Sequence, residues 1–335
     1  KAIKEQAENL IHASNIYYFE IQTKLSELLV ENTCADKVFY ANSGAEANEG
    51  ALKLARKYFK KKEEDKYEII ATSDSFHGRT LATLAATGQE KYQKPFTPLP
   101  AGFSFVPYND LEAVKEEVTE HTAAIMVEPI QGEGGVNPAS QEYLQGLRDL
   151  CDEHDILLIF DEVQTGIGRT GSLFAYQEYN IEPDIFTSAK ALGNGVPVSA
   201  LLARGEVADA FEPGDHASTF GGNPLACRAA YATLETILEE DIIANVRKVG
   251  TYFKEELYNL AEEYELLADV KGKGLMIGVE VDIDPQLIRD KMFEKNILIL
   301  KAGHNVLRFV PPLIIQQEHV DRVIDKLGEV LTELN

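Results

Sequence analysis

Short, nearly continuous apolar runs alternate along the chain with longer stretches whose apolar positions recur every three or four residues. "YEIIAT" (67–72), "AAIMVEP" (123–129), "ILLIFD" (156–161), "DIFTSA" (184–189) and "VSALLA" (198–203) predict strands. Being apolar almost throughout, they suit a sheet covered on both faces. "GAEANEGALKLARKYFKKK", "DLEAVKEEV" and "QEYLQGLRDLCDEHD" predict the helices between them. The alternation points to an α/β architecture with a mostly parallel sheet. Ligands of such sheets sit outside the carboxyl ends of the strands. A helical stretch runs from about Asn223 to Tyr264 with a break near Asp241. After it the pattern changes: "GLMIGVEV", "NILIL" and "NVLRFVP" predict strands, with helices at about 285–295 and 317–333. The expected organisation is a short N-terminal helix over 1-17, a large α/β domain over 18-240 and a smaller α+β domain over 241-335.

A chain of 335 residues has room for two domains. Lys and Arg total 32 against 55 Asp and Glu, a net charge of −23. That balance argues against nucleic acid and against an anionic membrane surface. An anionic ligand must then be held by backbone amides and a few chosen arginines. The three cysteines, Cys34, Cys151 and Cys227, form no CxxC pair, so a reducing compartment, the cytoplasm, is expected. The histidines form no HExxH, and no metal is expected. The apolar runs fall far short of the ~20 residues of a membrane span. The first residue is not methionine, and no signal peptide is visible, so the true N-terminus is expected to lie upstream.

Candidate chemistry centres on Lys190 in "DIFTSAKALGNG", at the end of a predicted strand. A lysine desolvated there loses its proton and attacks carbonyl carbon to give a Schiff base. Alone it is equally a solvated charge. Ser43 and Glu46 form an S-x-x-E capping box that starts a helix at Gly44. Such a start presents free N–H groups to phosphate, though a cap needs no ligand. Asp161 falls at a strand end in "LLIFDEVQTGIGRTG", either capping a turn or pairing with a cationic ring nitrogen, with Gln164 in reach of a ring hydroxyl. Gly166, Gly168 and Gly171 satisfy G-x-G-x-x-G, the signature of a nicotinamide-dinucleotide dehydrogenase. Asp161 to Thr165 intervene between strand and glycines, however, so this reading stands second. No GxxxxGK[ST] occurs. Phe76 and Arg79 in "SDSFHGRT" offer an aromatic face and a carboxylate clamp, or a core residue and a surface ion pair. Lysine, acid and phosphate cup together are what pyridoxal phosphate requires.

With these segments in order, the sequence resembles the class III (subgroup II) pyridoxal-phosphate aminotransferases. The resemblance rests on "NSGAEANEGALKLAR", "SFHGRTLATLAATGQEKY", "VEPIQGEGGV", "LLIFDEVQTGIGRTG", "TSAKALGNGVPVSALLA", "STFGGNPLA" and "VLRFVPPL". It implies the fold type I of pyridoxal-phosphate transferases, with Lys190 as the Schiff-base lysine and Asp161 as partner of the ring nitrogen. Ser43, Gly44, Ala45, Phe76, Glu162, Val163 and Gln164 are then cofactor contacts. Thr219 reaches the phosphate bound by a neighbouring subunit, and Ser218 lies beside the substrate there, which implies a homodimer with shared sites. Arg79 and Arg308 bind substrate carboxylates. Glu133 is a carboxylate that pairs with Arg308 and moves aside, or else a loop carboxylate in a glycine-rich turn. The implied reaction moves the δ-amino group of N-acetylornithine to 2-oxoglutarate, giving glutamate. Ornithine, 4-aminobutyrate, succinylornithine and succinyl-diaminopimelate are alternative donors. The family usually carries a further N-terminal segment before "IHASNIYYF". Asn194, Ser199 and Ala217 depart from its commoner residues without an expected change in mechanism.

Overall fold

The computed structural model describes residues 1–334. Seven strands form the main sheet: β1 (Lys37–Ala41), β2 (Glu68–Thr72), β3 (Phe103–Val106), β4 (Thr122–Val127), β5 (Leu157–Asp161), β6 (Ile185–Ser188) and β7 (Ser199–Ala203). Their spatial order is β1-β7-β6-β5-β4-β2-β3. Only β7 runs against its neighbours β6 and β1; the other pairs are parallel.

The continuous apolar runs have a direct cause. Successive strand residues point to opposite faces, and each face meets its own core. Ile125, Val127, Leu158 and Phe160 enter one core with the helix Gln141–His154. Ala124, Met126, Leu157 and Ile159 enter the other, with Ala51, Leu54 and Phe59 of the helix Gly44–Lys61.

A second sheet is antiparallel: β8 (Leu267–Lys273), β9 (Met276–Val281), β10 (Leu300–Ala302) and β11 (Val306–Phe309), in the order β8-β9-β11-β10. The helices Ile242–Glu263 and Gln317–Leu334 pack on it through Phe253, Leu257, Leu327 and Leu331. Arg169, in the loop after β5, joins the two sheets by donating from Nη1 to the Leu275 and Pro311 carbonyls at 3.0 and 2.6 Å.

Five elements differ from expectation. The first helix spans Ala2–Asn9, short of residue 17. Asn15 instead donates to the carbonyls of Ser218 and Gly221, which holds the following segment in turns. "NILIL" gives only its last residue to β10, because Asn296 takes a left-handed backbone and breaks the run. Strands β1, β3 and β8 were not predicted; their faces are mixed rather than apolar. Among the described residues no helix is long and apolar enough to cross a membrane. Nor do three or more His, Cys, Asp or Glu gather there to hold a metal.

Candidate active site

A cavity of about 450 Å³ opens at the carboxyl ends of the parallel strands. Each strand delivers one part of its wall. Asp161 ends β5, and its strand position faces Thr187 of β6. Lys190 follows β6 by two residues, Glu128 directly follows β4, Phe76 follows β2, and the helix Gly44–Lys61 follows β1. Gly195 to Val198 return over the same edge into β7, which the reversed direction of that strand makes possible.

Lys190 adopts φ of 42°, a left-handed backbone that side-chain-bearing residues seldom take. The bend aims the side chain into the cavity, where it is open on one side and enclosed by protein elsewhere. Burial lowers its pKa from the usual lysine range, against the opposing pull of Asp161, Glu128 and Glu133. The outcome is an amine that gives up its proton more readily than a surface lysine.

Asp161 is only 4% exposed. Its Oδ2 accepts from Asn48 Nδ2 and meets His77 Nδ1, each at 2.8 Å, and its Oδ1 accepts from Val163 N at 3.0 Å. Asn48 is fixed in turn: it donates to the His77 carbonyl at 2.7 Å and accepts from Thr187 Oγ1 at 2.7 Å. Glu128 is buried as well, which pushes its pKa up. Its two oxygens accept from Phe76 N and Gly132 N, so it ties the Phe76 wall to the glycine-rich loop.

At the helix start Ser43 is the N-cap, its Oγ accepting from Glu46 N at 3.3 Å. Glu46 does not reach back to the cap's own N–H; it accepts from Asn42 N at 2.8 Å. The N–H groups of Gly44 and Ala45 open the helix and have no helical acceptor. Gly44 is required there, since a Cβ would lie 2.7 Å from Val163 Cγ1. Gly78, at φ of 145°, is required too, because a Cβ would lie 2.8 Å from that of Ala45.

The expected site residues are largely assembled. Ser43, Gly44, Ala45, Phe76, Arg79, Asp161, Val163, Gln164 and Lys190 all line the cavity. Arg308, on β11, donates from Nη1 to Glu133 Oε1 at 2.8 Å and to Gln164 Oε1 at 3.3 Å. Gln164 thus joins the Arg308–Glu133 ion pair to the cavity wall. Ser218 and Thr219 lie outside the lining. Ser218 Oγ accepts from Asn42 Nδ2 and Gly221 N, each at 3.1 Å, and Thr219 is exposed.

Glu162 is the correction. Expected among the cofactor contacts, it is fully buried and turned away from the cavity. Its carboxylate accepts from Ala175 N at 3.0 Å, Tyr176 N at 2.8 Å and the Thr165 hydroxyl. Adjacent residues at a strand end face opposite ways, so only one of the two acids reaches the site. Asn48, His77 and Glu128 were not expected there. Asn48 and Glu128 each carried a usable signal: a polar residue on the buried face of a helix, and a second carboxylate at a strand end.

The G-x-G-x-x-G glycines fall in turns, and no helix begins before Ala175, so the dinucleotide reading loses its structural context. The family profile "Aminotransferase class-III" matches residues 1–331. The chain belongs to the class-III aminotransferases. An acetylornithine aminotransferase of Methanocaldococcus jannaschii is 54% identical over 335 residues, all of this chain and 84% of the relative. One of Caldanaerobacter subterraneus is 53% identical over 100% of this chain and 85% of its own. The crystal structure of the ornithine aminotransferase from Toxoplasma gondii superposes with a TM-score of 0.95 at 35% identity, covering 99% of this chain and 81% of that one.

The cofactor of this aminotransferase is pyridoxal 5'-phosphate. The residues fit it. Gly44 and Ala45 offer open amides for a phosphate, and Phe76 and Val163 offer apolar surface for a flat ring. Asp161 would present a carboxylate to the ring nitrogen, and Lys190 an amine within the same cavity.

Glu162 gives this aminotransferase a measurable pH dependence. Burial pushes its pKa up to about 7 from the usual 4.5, against its three hydrogen-bond donors. Between those values the folded chain keeps a proton that the unfolded chain releases. Stability is therefore highest below the window and falls as pH rises through it. The full difference is up to about 3 kcal/mol for one group. Thermal unfolding of the E162Q protein, followed from about pH 4.5 to 7.5, is expected to lose this part of the slope. An unchanged slope would count against the buried carboxylate as its source.

Proposed function

We propose that this aminotransferase moves the δ-amino group of N-acetylornithine to 2-oxoglutarate, yielding N-acetylglutamate semialdehyde and glutamate in two half-reactions that serve arginine biosynthesis. The observation that carries the reading is a pair of unlike arginines. Arg79, exposed at the cavity, has no carboxylate partner among the described residues. Arg308, buried, is covered by Glu133. N-acetylornithine carries its reacting amine far from its only carboxylate, whereas glutamate carries one carboxylate beside its amine and a second at a distance. A free arginine at a distance suits the first. An arginine masked until a carboxylate arrives near the reacting carbon suits the second.

Pyridoxal 5'-phosphate supplies a carbonyl carbon that takes up amines and a ring that withdraws electrons from the carbon beside them. The chain supplies the rest. Gly44 and Ala45 hold the phosphate. Asp161, kept in place by Asn48 and His77, holds a proton on the ring nitrogen. Lys190, once released, takes the proton from the donor's δ-carbon and returns it on the cofactor side. Arg79 sets the far carboxylate so that this carbon faces Lys190.

The reading includes a homodimer. Thr219 and Phe220 are exposed, as are Ile16, Tyr17 and Tyr18, and this apolar surface suits a second copy receiving Thr219 at its own phosphate. It assigns 18-240 to cofactor binding and 241-335 to the smaller domain that carries Arg308. It also places the enzyme in the cytoplasm, in keeping with three unpaired cysteines. A donor panel of N-acetylornithine, ornithine, 4-aminobutyrate, succinylornithine and succinyl-diaminopimelate, each with 2-oxoglutarate, tests the substrate. The highest kcat/KM is expected for N-acetylornithine; a higher value for ornithine or 4-aminobutyrate would overturn the assignment.

A further inference from the structure

Arg79 is held in an unusual way for a binding arginine. No carboxylate or carbonyl of the described residues takes its N–H groups. Its guanidinium instead lies over the ring of Tyr92, 4.1 Å from the centroid, with the Phe76 ring at 5.4 Å. The two rings meet edge to face at 5.9 Å and 84°. Tyr92 sits on the short helix Glu90–Gln93. That helix is anchored by Gln93, whose Nε2 donates to the Thr87 carbonyl at 2.8 Å and to Leu84 at 3.2 Å. The base under Arg79 is therefore fixed by bonds that do not involve Arg79.

This arrangement has a chemical consequence. A carboxylate holding Arg79 would occupy the fork that a substrate carboxylate needs. A ring face attracts the cation through its quadrupole and leaves the N–H groups in the guanidinium plane free. We infer that Tyr92 is a positioning residue that sets donor specificity, holding Arg79 with its hydrogen-bond donors available for a carboxylate remote from the reacting amine. The inference rests on Arg79 binding the donor's carboxylate. Tyr92 touches no reacting atom in this account.

The test uses the full chain loaded with cofactor, in the variants Y92L, Y92F and R79A. Each half-reaction is followed separately, with N-acetylornithine and with glutamate. Binding of the unreactive N-acetylnorvaline is read from the shift of the cofactor's absorbance band. Y92L is expected to raise KM for N-acetylornithine and the Kd of N-acetylnorvaline roughly ten-fold, the size of one partly desolvated cation–π contact. Y92F, which keeps the ring, is expected to stay near the parent. Because glutamate also carries a side-chain carboxylate remote from its reacting amine, its half-reaction is expected to rise in KM with kcat kept, while the resting absorbance band should not move. If Y92L lowers kcat with KM and the Kd of N-acetylnorvaline unchanged, or shifts the resting absorbance band, or if Y92F fails as Y92L does, Tyr92 is only a packing residue and the inference is overturned. R79A separates the two levels. Unchanged N-acetylornithine binding in R79A removes the reading beneath. Weakened binding in R79A with none in Y92L overturns the role of Tyr92 alone.

Discussion

The K190A protein is expected to lose transamination by at least about 10³-fold and to lose covalent attachment of its cofactor. Two separate functions leave with one side chain. On the proposed reading, the amine holds the cofactor between turnovers and then serves as the base that moves a proton at the substrate's δ-carbon. Desolvation among the ends of β4, β5 and β6 lowers its pKa from the usual lysine range, so the amine gives up its proton more readily than a surface lysine does. Among the described residues no other lysine lines the cavity, so none stands beside the site to substitute. Borohydride reduction of the parent enzyme followed by peptide mapping should place the label on Lys190, and K190A should take none. A label on another lysine, or a K190A protein that still turns over N-acetylornithine at a tenth of the parent rate, would end this account.

The left-handed backbone at Lys190 explains why alanine at that position tests chemistry rather than fold. The bend is imposed by its surroundings: Ser188 closes β6, and the turn Lys190–Gly193 must lead back into β7 within a few residues. The side chain itself makes no hydrogen bond that holds the turn. Truncation removes the amine and leaves the turn's backbone bonds, such as Asn194 N to the Ala191 carbonyl, in place.

What the amino-acid pattern disclosed, and what it hid, follows from the same geometry. The central strands were legible because both faces of β4, β5 and β6 enter cores, leaving runs without polar interruption. Strands β1 and β3 lie at the two edges of the sheet, and β8 at an edge of the second. Their half-exposed residues break the run, and "KVFYA" or "FSFV" reads as loop. Lys190, Asp161 and Gly44 were legible because each sits where an element begins or ends. His77 was not, and Asn48 showed only as a polar residue on a buried helix face, because each acts through a contact with Asp161 across 84 and 113 residues of chain. Only folding brings such partners together. Glu162 shows the converse: the resemblance placed it among the cofactor contacts with Asp161, and the alternation of side chains at the end of β5 separates the two.

Removing the Glu133 carboxylate should shift donor preference toward glutamate. In the resting site Arg308 is 8% exposed, and Glu133 is its carboxylate partner at 2.8 Å. Its Nε has no acceptor, and its remaining tether is the neutral Gln164 oxygen at 3.3 Å. On the proposed reading glutamate binds Arg308, and the charge-assisted bond to Glu133 must first break. For N-acetylornithine it can stay, masking a cation that would otherwise draw carboxylates to the reacting carbon. In the E133A protein glutamate no longer bears that cost, and N-acetylornithine competes with its own misbound orientation. A bond to a charged group contributes about 1.5–3 kcal/mol, so the ratio of kcat/KM values, glutamate over N-acetylornithine, is expected to rise roughly 10- to 100-fold. Single-turnover measurements of the two half-reactions read that ratio directly, and E133Q, which keeps a weaker neutral acceptor, should fall between. Loss of both half-reactions in equal proportion would mean that Glu133 only supports the loop between Gly132 and Gly135. The carbonyl of Glu133 already accepts from Gly303 N at 2.9 Å. That backbone anchor survives in both variants, so the loop keeps its attachment to the second sheet while the carboxylate is changed.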